Sequence, residues 1–373
     1  MKYWRGYLVA AILAACTWGF REFAQTHSKL VDMIYPYVTR LVQNFMADWS
    51  SGVTFCLWQA ILLALIAVGV ATIVLMIIFK WNPIQWFGWI LAAVSLILLL
   101  HTGVFGMNEY AGPIDEDLRL IETDCSDEQM EAAAIYYRDK ANAFSAQVGT
   151  LELSALNEEA AEGFDALVYD HYYSVFAGSN APVKTLDMAS WFTKRGEMGY
   201  TVPITGEAAV NPETPGFMQP FAICREMCYR KCIASNRDKH FGAFLACQAN
   251  ESADFQYAAY LMAYRYCLMA LPQSVASEVN AQANAQVREA VNTWDAFVAP
   301  AEARVAEAAE KEGIKDTTNR EIAELILRWH YQEVVLPSIT EPEVQFDPMD
   351  ESQVDLTGLP HAPAPTEPVE EAA

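Results

Sequence analysis

Residues 60–81 read Ala60-Ile61-Leu62-Leu63-Ala64-Leu65-Ile66-Ala67-Val68-Gly69-Val70-Ala71-Thr72-Ile73-Val74-Leu75-Met76-Ile77-Ile78-Phe79-Lys80-Trp81. They belong to a stretch, residues 52–79, without a single charged side chain; residues 81–100 form a second such stretch, and Lys80 alone separates the two. About 20 apolar residues cross the hydrocarbon core of a bilayer, so each run is long enough to span one. Trp81, Trp86 and Trp89 fall where an interfacial aromatic belt forms. Toward the N-terminus, residues 6–20 make a shorter apolar run behind Lys2 and Arg5, which fits a first spanning helix. The expectation is a membrane domain over residues 1–104, with helices at about 6–20, 54–79 and 83–103 and a loop over residues 21–51.

Lys and Arg in short loops favour the cytoplasm. Lys2, Arg5 and Lys80 therefore place the N-terminus inside, and three crossings place everything after residue 104 outside. Leu13-Ala14-Ala15-Cys16 also resembles a lipoprotein cleavage box, although a spanning helix is the expectation for this segment. The formal net charge of -23 comes mainly from the region after residue 104. Such a surface repels nucleic acid and anionic membrane faces, so neither is an expected partner. The bilayer itself is one.

Beyond the membrane domain the fold class reads as mainly α. Helical periodicity covers residues 127–147, with Ser126 as cap, and residues 151–177. Residues 179–215 turn to Gly, Pro and β-branched residues, which predicts irregular or short-strand structure. Helices follow at 218–233, 239–250, 255–271, 275–312 and 319–335, with Pro300 expected to break the fourth of these. The second domain is placed at residues 105–337. Residues 338–373 are acidic and rich in proline, with no Lys or Arg, and read as a disordered tail.

The chemistry-bearing residues concentrate in residues 216–247. Cys224, Cys228 and Cys232 recur every fourth residue and form one stripe of a helix; with His240 they could build a thiolate zinc site, while core packing of the thiols is the plainer reading. The eight cysteines show no framework from which a disulfide connectivity could be assigned.

Several landmarks come in a recognisable order. They are Ile34-Tyr35-Pro36, Phe105-Gly106-Met107-Asn108-Glu109-Tyr110, Pro203-Ile204-Thr205-Gly206-Glu207-Ala208-Ala209-Val210-Asn211 with Pro215, Phe244-Leu245-Ala246-Cys247, and Tyr257-Ala258-Ala259-Tyr260-Leu261. On these the chain resembles the domain-of-unknown-function family numbered 3810, regarded as membrane-anchored, zincin-like metallopeptidases of bacteria. The resemblance covers roughly residues 20–271. It implies a helical zincin-like domain outside the bacterial cytoplasmic membrane, on a multi-pass anchor. It also implies a helix carrying His-Glu-x-x-His, in which two imidazoles one turn apart hold zinc and the Glu polarises the attacking water.

Here the matching five residues are Arg225, Glu226, Met227, Cys228 and Tyr229, and the segment expected to add a carboxylate ligand reads Asn236-Arg237-Asp238-Lys239-His240-Phe241. The base position Glu226 and the carboxylate of Asp238 persist, while both imidazoles are replaced. Arg cannot deprotonate to bind a cation, and a phenol with a pKa near ~10 is a poor ligand. The resemblance therefore implies the fold with its zinc lost, and no other cofactor. On this reading Arg225 stands in for the metal, held by Asp238 and Glu226. The functional expectation is a pseudopeptidase that binds a peptide or protein or serves as an envelope scaffold. The alternative is an active metallohydrolase with a site rebuilt from Cys224, Cys228, Cys232 and His240.

Overall fold

The computed structural model describes residues 4–149 and 151–340. The first hundred residues form four helices: α1 (Arg5–Thr26), α2 (Ser28–Ser51), α3 (Leu57–Ile78) and α4 (Pro83–Val104). Of these, α1, α3 and α4 are long and apolar enough to cross a membrane. The Asn82 side chain caps α4 by accepting the Ile84 N–H at 2.9 Å, and Pro83 occupies the first turn, where a missing N–H costs nothing. Helices α1 and α4 touch backbone to backbone. A Cβ on Gly6 would lie 2.5 Å from the carbonyl carbon of Gly88, so only small residues permit this crossing. Gly6 and Gly88 both lie near the start of their helices, so α1 and α4 run in the same direction. Helix α3 buries only Gln59.

Residues 21–51, expected as a loop, are helical. Helix α1 continues to Thr26, and after a break at His27 the chain re-enters helix as α2. Val31, Thr39, Gln43, Ala47 and Ser50 form its buried stripe. That face meets the rest of the protein: Gln43 Nε2 donates to the Pro203 carbonyl at 3.0 Å and Arg40 to the Ser174 carbonyl at 2.9 Å. Gly206 (φ +67°) sits against Ala47, where a Cβ would lie 2.5 Å from the Ala47 nitrogen. Both the left-handed turn and the close approach require glycine.

Residues 179–215 hold a three-stranded sheet of β1 (Lys184–Thr185), β2 (Gly199–Val202) and β3 (Glu207–Val210) in the order β1-β3-β2. β1 runs parallel to β3, and β2 antiparallel, with Gly199 opposite Val210. Thus β2 is an edge. The buried Glu207 joins this sheet to α3, since its two carboxylate oxygens accept the N–H groups of Leu57 and Trp58, each at 2.8 Å. Lys184 Nζ completes the joint with bonds to Glu207 Oε1 (2.5 Å), the Ser50 carbonyl (2.9 Å) and the Phe55 carbonyl (3.0 Å). The end of α2 and the start of α3 are therefore tied to one ion pair.

The remaining helices are α5 (Ile114–Asp117), α6 (Asp127–Phe144), α7 (Leu153–Tyr169), α8 (Ala189–Thr193), α9 (Gln219–Arg230), α10 (Asn236–Gln248), α11 (Ala253–Ala270), α12 (Gln273–Ala281), α13 (Ala285–Lys311), α14 (Thr318–His330) and α15 (Leu336–Thr340). Every residue of α11 from Tyr257 to Cys267 is buried, which makes it the axis of the core. Ser126 caps α6 in a reciprocal box with Gln129, as its sequence predicts.

Some boundaries differ from the sequence reading. Helix α7 ends at Tyr169, short of residue 177. The segment 275–312 is two helices, divided where Asn284 caps α13 by accepting the Val287 N–H at 2.8 Å. Pro300 does not break α13. Arg265 grips the helix on both sides of it, through Asp295 at 2.5 Å and Glu302 at 2.9 Å, so tertiary contacts override the proline. The tail expected from residue 338 lies outside the described residues except for residues 338–340, which end α15.

Candidate functional site

Helix α9 presents Arg225, Glu226 and Tyr229 beneath strand β2. The approach is close because Gly199 has no side chain: a Cβ there would lie 2.7 Å from Glu226 Cγ and 2.8 Å from the Ala209 carbonyl oxygen. The Glu226 side chain is only 3% exposed. Its Oε2 accepts the Thr201 hydroxyl at 2.7 Å, and its Oε1 pairs with the Arg225 guanidinium. Both oxygens are engaged, so the carboxylate does not stand free to take a proton from water.

Arg225 Nε donates to His240 Nε2 at 2.7 Å, and a third nitrogen reaches Asn236 Oδ1 at 3.4 Å. Because His240 Nε2 accepts, the imidazole is neutral and its Nδ1–H donates to the Tyr266 oxygen at 2.5 Å. Burial, then Arg225, Lys239 and Arg265, push the His240 pKa well below the usual imidazole value. Tyr229 packs its ring 4.5 Å from that of Phe105, at the end of α4, and burial raises its phenol pKa.

Lys239, from the first turn of α10, lays its ammonium 4.7 Å over the Tyr229 ring. Among the described residues no carboxylate lies within ion-pair distance of it. Burial lowers its pKa to about 7, with Arg225 adding repulsion and Glu226 opposing the shift.

Asp238 does not pair with Arg225. Positions 238 and 240 lie about 200° apart around a helix, so while His240 reaches Arg225, Asp238 points elsewhere. It accepts Arg237 Nε at 2.8 Å, its N–H is capped by Ser235 at 3.0 Å, and it lines a separate cleft with Asp32 and Asp117. The cysteine stripe and His240 are not brought together either. Cys224 neighbours Cys247, Cys228 lies against Gly242, and Cys232 meets the Thr39 hydroxyl at 3.4 Å. Burial raises the pKa of all three thiols. Among the described residues no three His, Cys, Asp or Glu side chains are grouped to hold a metal ion.

Arg225 and Glu197 line two cavities, one of about 240 Å³ with Tyr200, Val202, Tyr229 and Lys239, the other of about 480 Å³ with His240, Tyr266 and Trp294. The first cavity is lined by all four residues of β2, and the Arg225 guanidinium borders both. His101, in the last turn of α4, also lines the first cavity. Tyr200 also walls a third cavity of about 780 Å³, bounded by Trp58 and Leu62 of α3 and by Trp191 and Phe192. Sequence reasoning missed Lys239, Thr201, Gly199, Tyr200 and His101. Only Lys239 carried a signal, by standing between Asp238 and His240.

The family model described as "Protein of unknown function (DUF3810)" matches residues 31–312, most of the chain. This chain belongs to the DUF3810 family. The match takes in both the Arg225–Glu226 site and the Lys184–Glu207 joint. No curated protein and no solved structure matches the chain. The DUF3810 chain offers at this site a hydrogen-bond relay from Thr201 through Glu226, Arg225 and His240 to Tyr266, with one unpaired ammonium beside it.

Proposed function

We propose that this DUF3810 protein is a multi-pass membrane pseudopeptidase of the bacterial envelope. Its zincin-like domain lies outside the cytoplasmic membrane and holds an extended segment of a partner peptide or protein without cleaving it. The observation that carries the reading is the engagement of Glu226 by Thr201 and Arg225. A catalytic base in a zinc peptidase needs a metal-bound water to act on. Here the neighbouring cation is a guanidinium that already shares its donors with Glu226, His240 and Asn236.

What supports peptide binding is the edge position of β2, paired on one side only within the three-stranded sheet, and the cavity that its four residues line. An exposed strand edge can add an extended peptide by main-chain hydrogen bonds, with flanking pockets taking alternate side chains. Lys239 supplies a charge that an acidic side chain or a terminal carboxylate would satisfy.

The test uses the full-length protein in detergent micelles and a panel of extended peptides labelled for fluorescence anisotropy. Binding without hydrolysis is expected, weakened by Lys239→Met. Peptide cleavage that disappears in Glu226→Gln makes the protein an enzyme and overturns the reading.

A further inference from the structure

Helix α2 has two unlike faces. One is buried against the domain, as described above; the other carries Leu30, Ile34, Val38, Leu41, Phe45 and Trp49, exposed between 41% and 71%. The spacing of four, four, three, four and four residues puts all six on one stripe of the helix. Lys29, Asp32 and Arg40 lie on other arcs; one charged residue, Asp48, shares the arc at its C-terminal end, where its carboxylate accepts the Ser179 hydroxyl at 2.6 Å. So large an apolar face is not left to water in a soluble protein.

The ends of α2 fix what covers it. Near its start, Tyr35 donates to the Thr102 carbonyl at 2.9 Å and Asp32 accepts the Gly112 N–H at 2.7 Å, so this end lies beside the C-terminal end of α4. Its last residues meet Lys184 and Glu207, which hold the first turn of α3. The C-terminal end of α4 and the N-terminal end of α3 are the domain-side ends of two helices each long enough to cross a bilayer. A helix of 24 residues is about 36 Å long at 1.5 Å per residue. It therefore runs from one membrane boundary point to another, at one level, with the domain on its polar side.

We propose that α2 lies in the plane of the membrane interface, its Leu30–Trp49 stripe sunk into the acyl-chain boundary and its polar face carrying the domain. Such a helix binds by its buried apolar area and needs no specific headgroup. It holds α3 apart from the α1–α4 pair and fixes the height of the domain above the bilayer. The inference rests on the α2 stripe and its tethers, and stands whether or not the cavity beside β2 takes a peptide.

Spin labels on the full-length protein in liposomes test it, in a Cys16→Ser, Cys125→Ser background, since the other cysteines are buried. Labels go at Leu41→Cys and Phe45→Cys on the stripe, and at Lys29→Cys and Arg320→Cys as solvent references. The expected result is relaxation by oxygen exceeding relaxation by a water-soluble nickel complex at 41 and 45, with the reverse at 29 and 320. Preference for the nickel complex at 41 and 45 overturns the proposal. So does low accessibility to both reagents with spin–spin broadening that depends on protein density, which would mean a second copy covers the stripe.

Discussion

Two acid–base pairs, one within the small sheet and one on α9 beneath it, behave differently. Glu207 and Lys184 spend their remaining hydrogen bonds on backbone groups at the end of α2 and the start of α3, so every partner is part of the fold. Glu226 and Arg225 spend theirs on side chains, namely Thr201, His240 and Asn236, and the guanidinium borders cavities on both sides. The first pair is a joint and the second a plug bordering two cavities. A buried carboxylate needs partners in either case, and the kind of partner separates a structural role from one exposed to ligand.

Glu207→Ala should have the largest effect. It uncaps α3 and leaves the Lys184 ammonium buried and unpaired, a loss of about 3 to 5 kcal/mol. Denaturant unfolding of the full chain in micelles measures it, and a loss below about 1 kcal/mol would erase the distinction between the pairs. Gly199→Ala comes next, at about 3 kcal/mol, because the new Cβ meets the Ala209 carbonyl oxygen as well as Glu226. The same unfolding experiment reads it.

Arg225→Ala should cost about 2 kcal/mol, since Glu226 keeps its Thr201 bond. The His240 ring signals in a heteronuclear NMR spectrum should shift with it, because Nε2 loses its donor. A cost equal to that of Glu207→Ala would make the plug a second joint.

A further effect is a slope with pH. The Lys239 pKa is about 7 in the folded chain against an ordinary 10.5, so between those values the unfolded chain holds a proton that the folded chain has released. Stability from this group therefore rises as pH climbs from about 7 toward 10.5, and the penalty for its buried charge is full below about 7. Lys239→Met removes this dependence. Its stability advantage over the wild type should be greatest in mild acid and close in alkali; Lys231, also at about 7, keeps its own slope in both proteins. A gap that does not change with pH would mean that Lys239 stays hydrated.

The sequence is legible where a pattern is long. The uncharged runs of α3 and α4, the Ser126 cap and the helical register of Arg225, Glu226 and Tyr229 all follow from local rules. Helix α2 is harder to read because Lys29, Asp32, Arg40 and Asp48 interrupt the apolar period that its residues carry. Pro300 could not have been placed correctly, since what holds α13 through it is Arg265, on another helix. The separation of Asp238 from Arg225 depends on the relative rotation of α9 and α10, which no spacing within either helix records. Lys239 illustrates the same limit: its pKa comes from burial and from Arg225, fourteen residues earlier in the chain.

The zinc content of the full-length protein, purified from zinc-replete cells and measured by elemental analysis at neutral pH, bears most directly on the plug. With Glu226 engaged by Thr201 and Arg225, and Cys224, Cys228, Cys232 and His240 held in separate surroundings, no stoichiometric zinc is expected. About one zinc per chain, lost on Cys228→Ser or on His240→Ala, would show a metal centre in place of the ion pair and contradict this account.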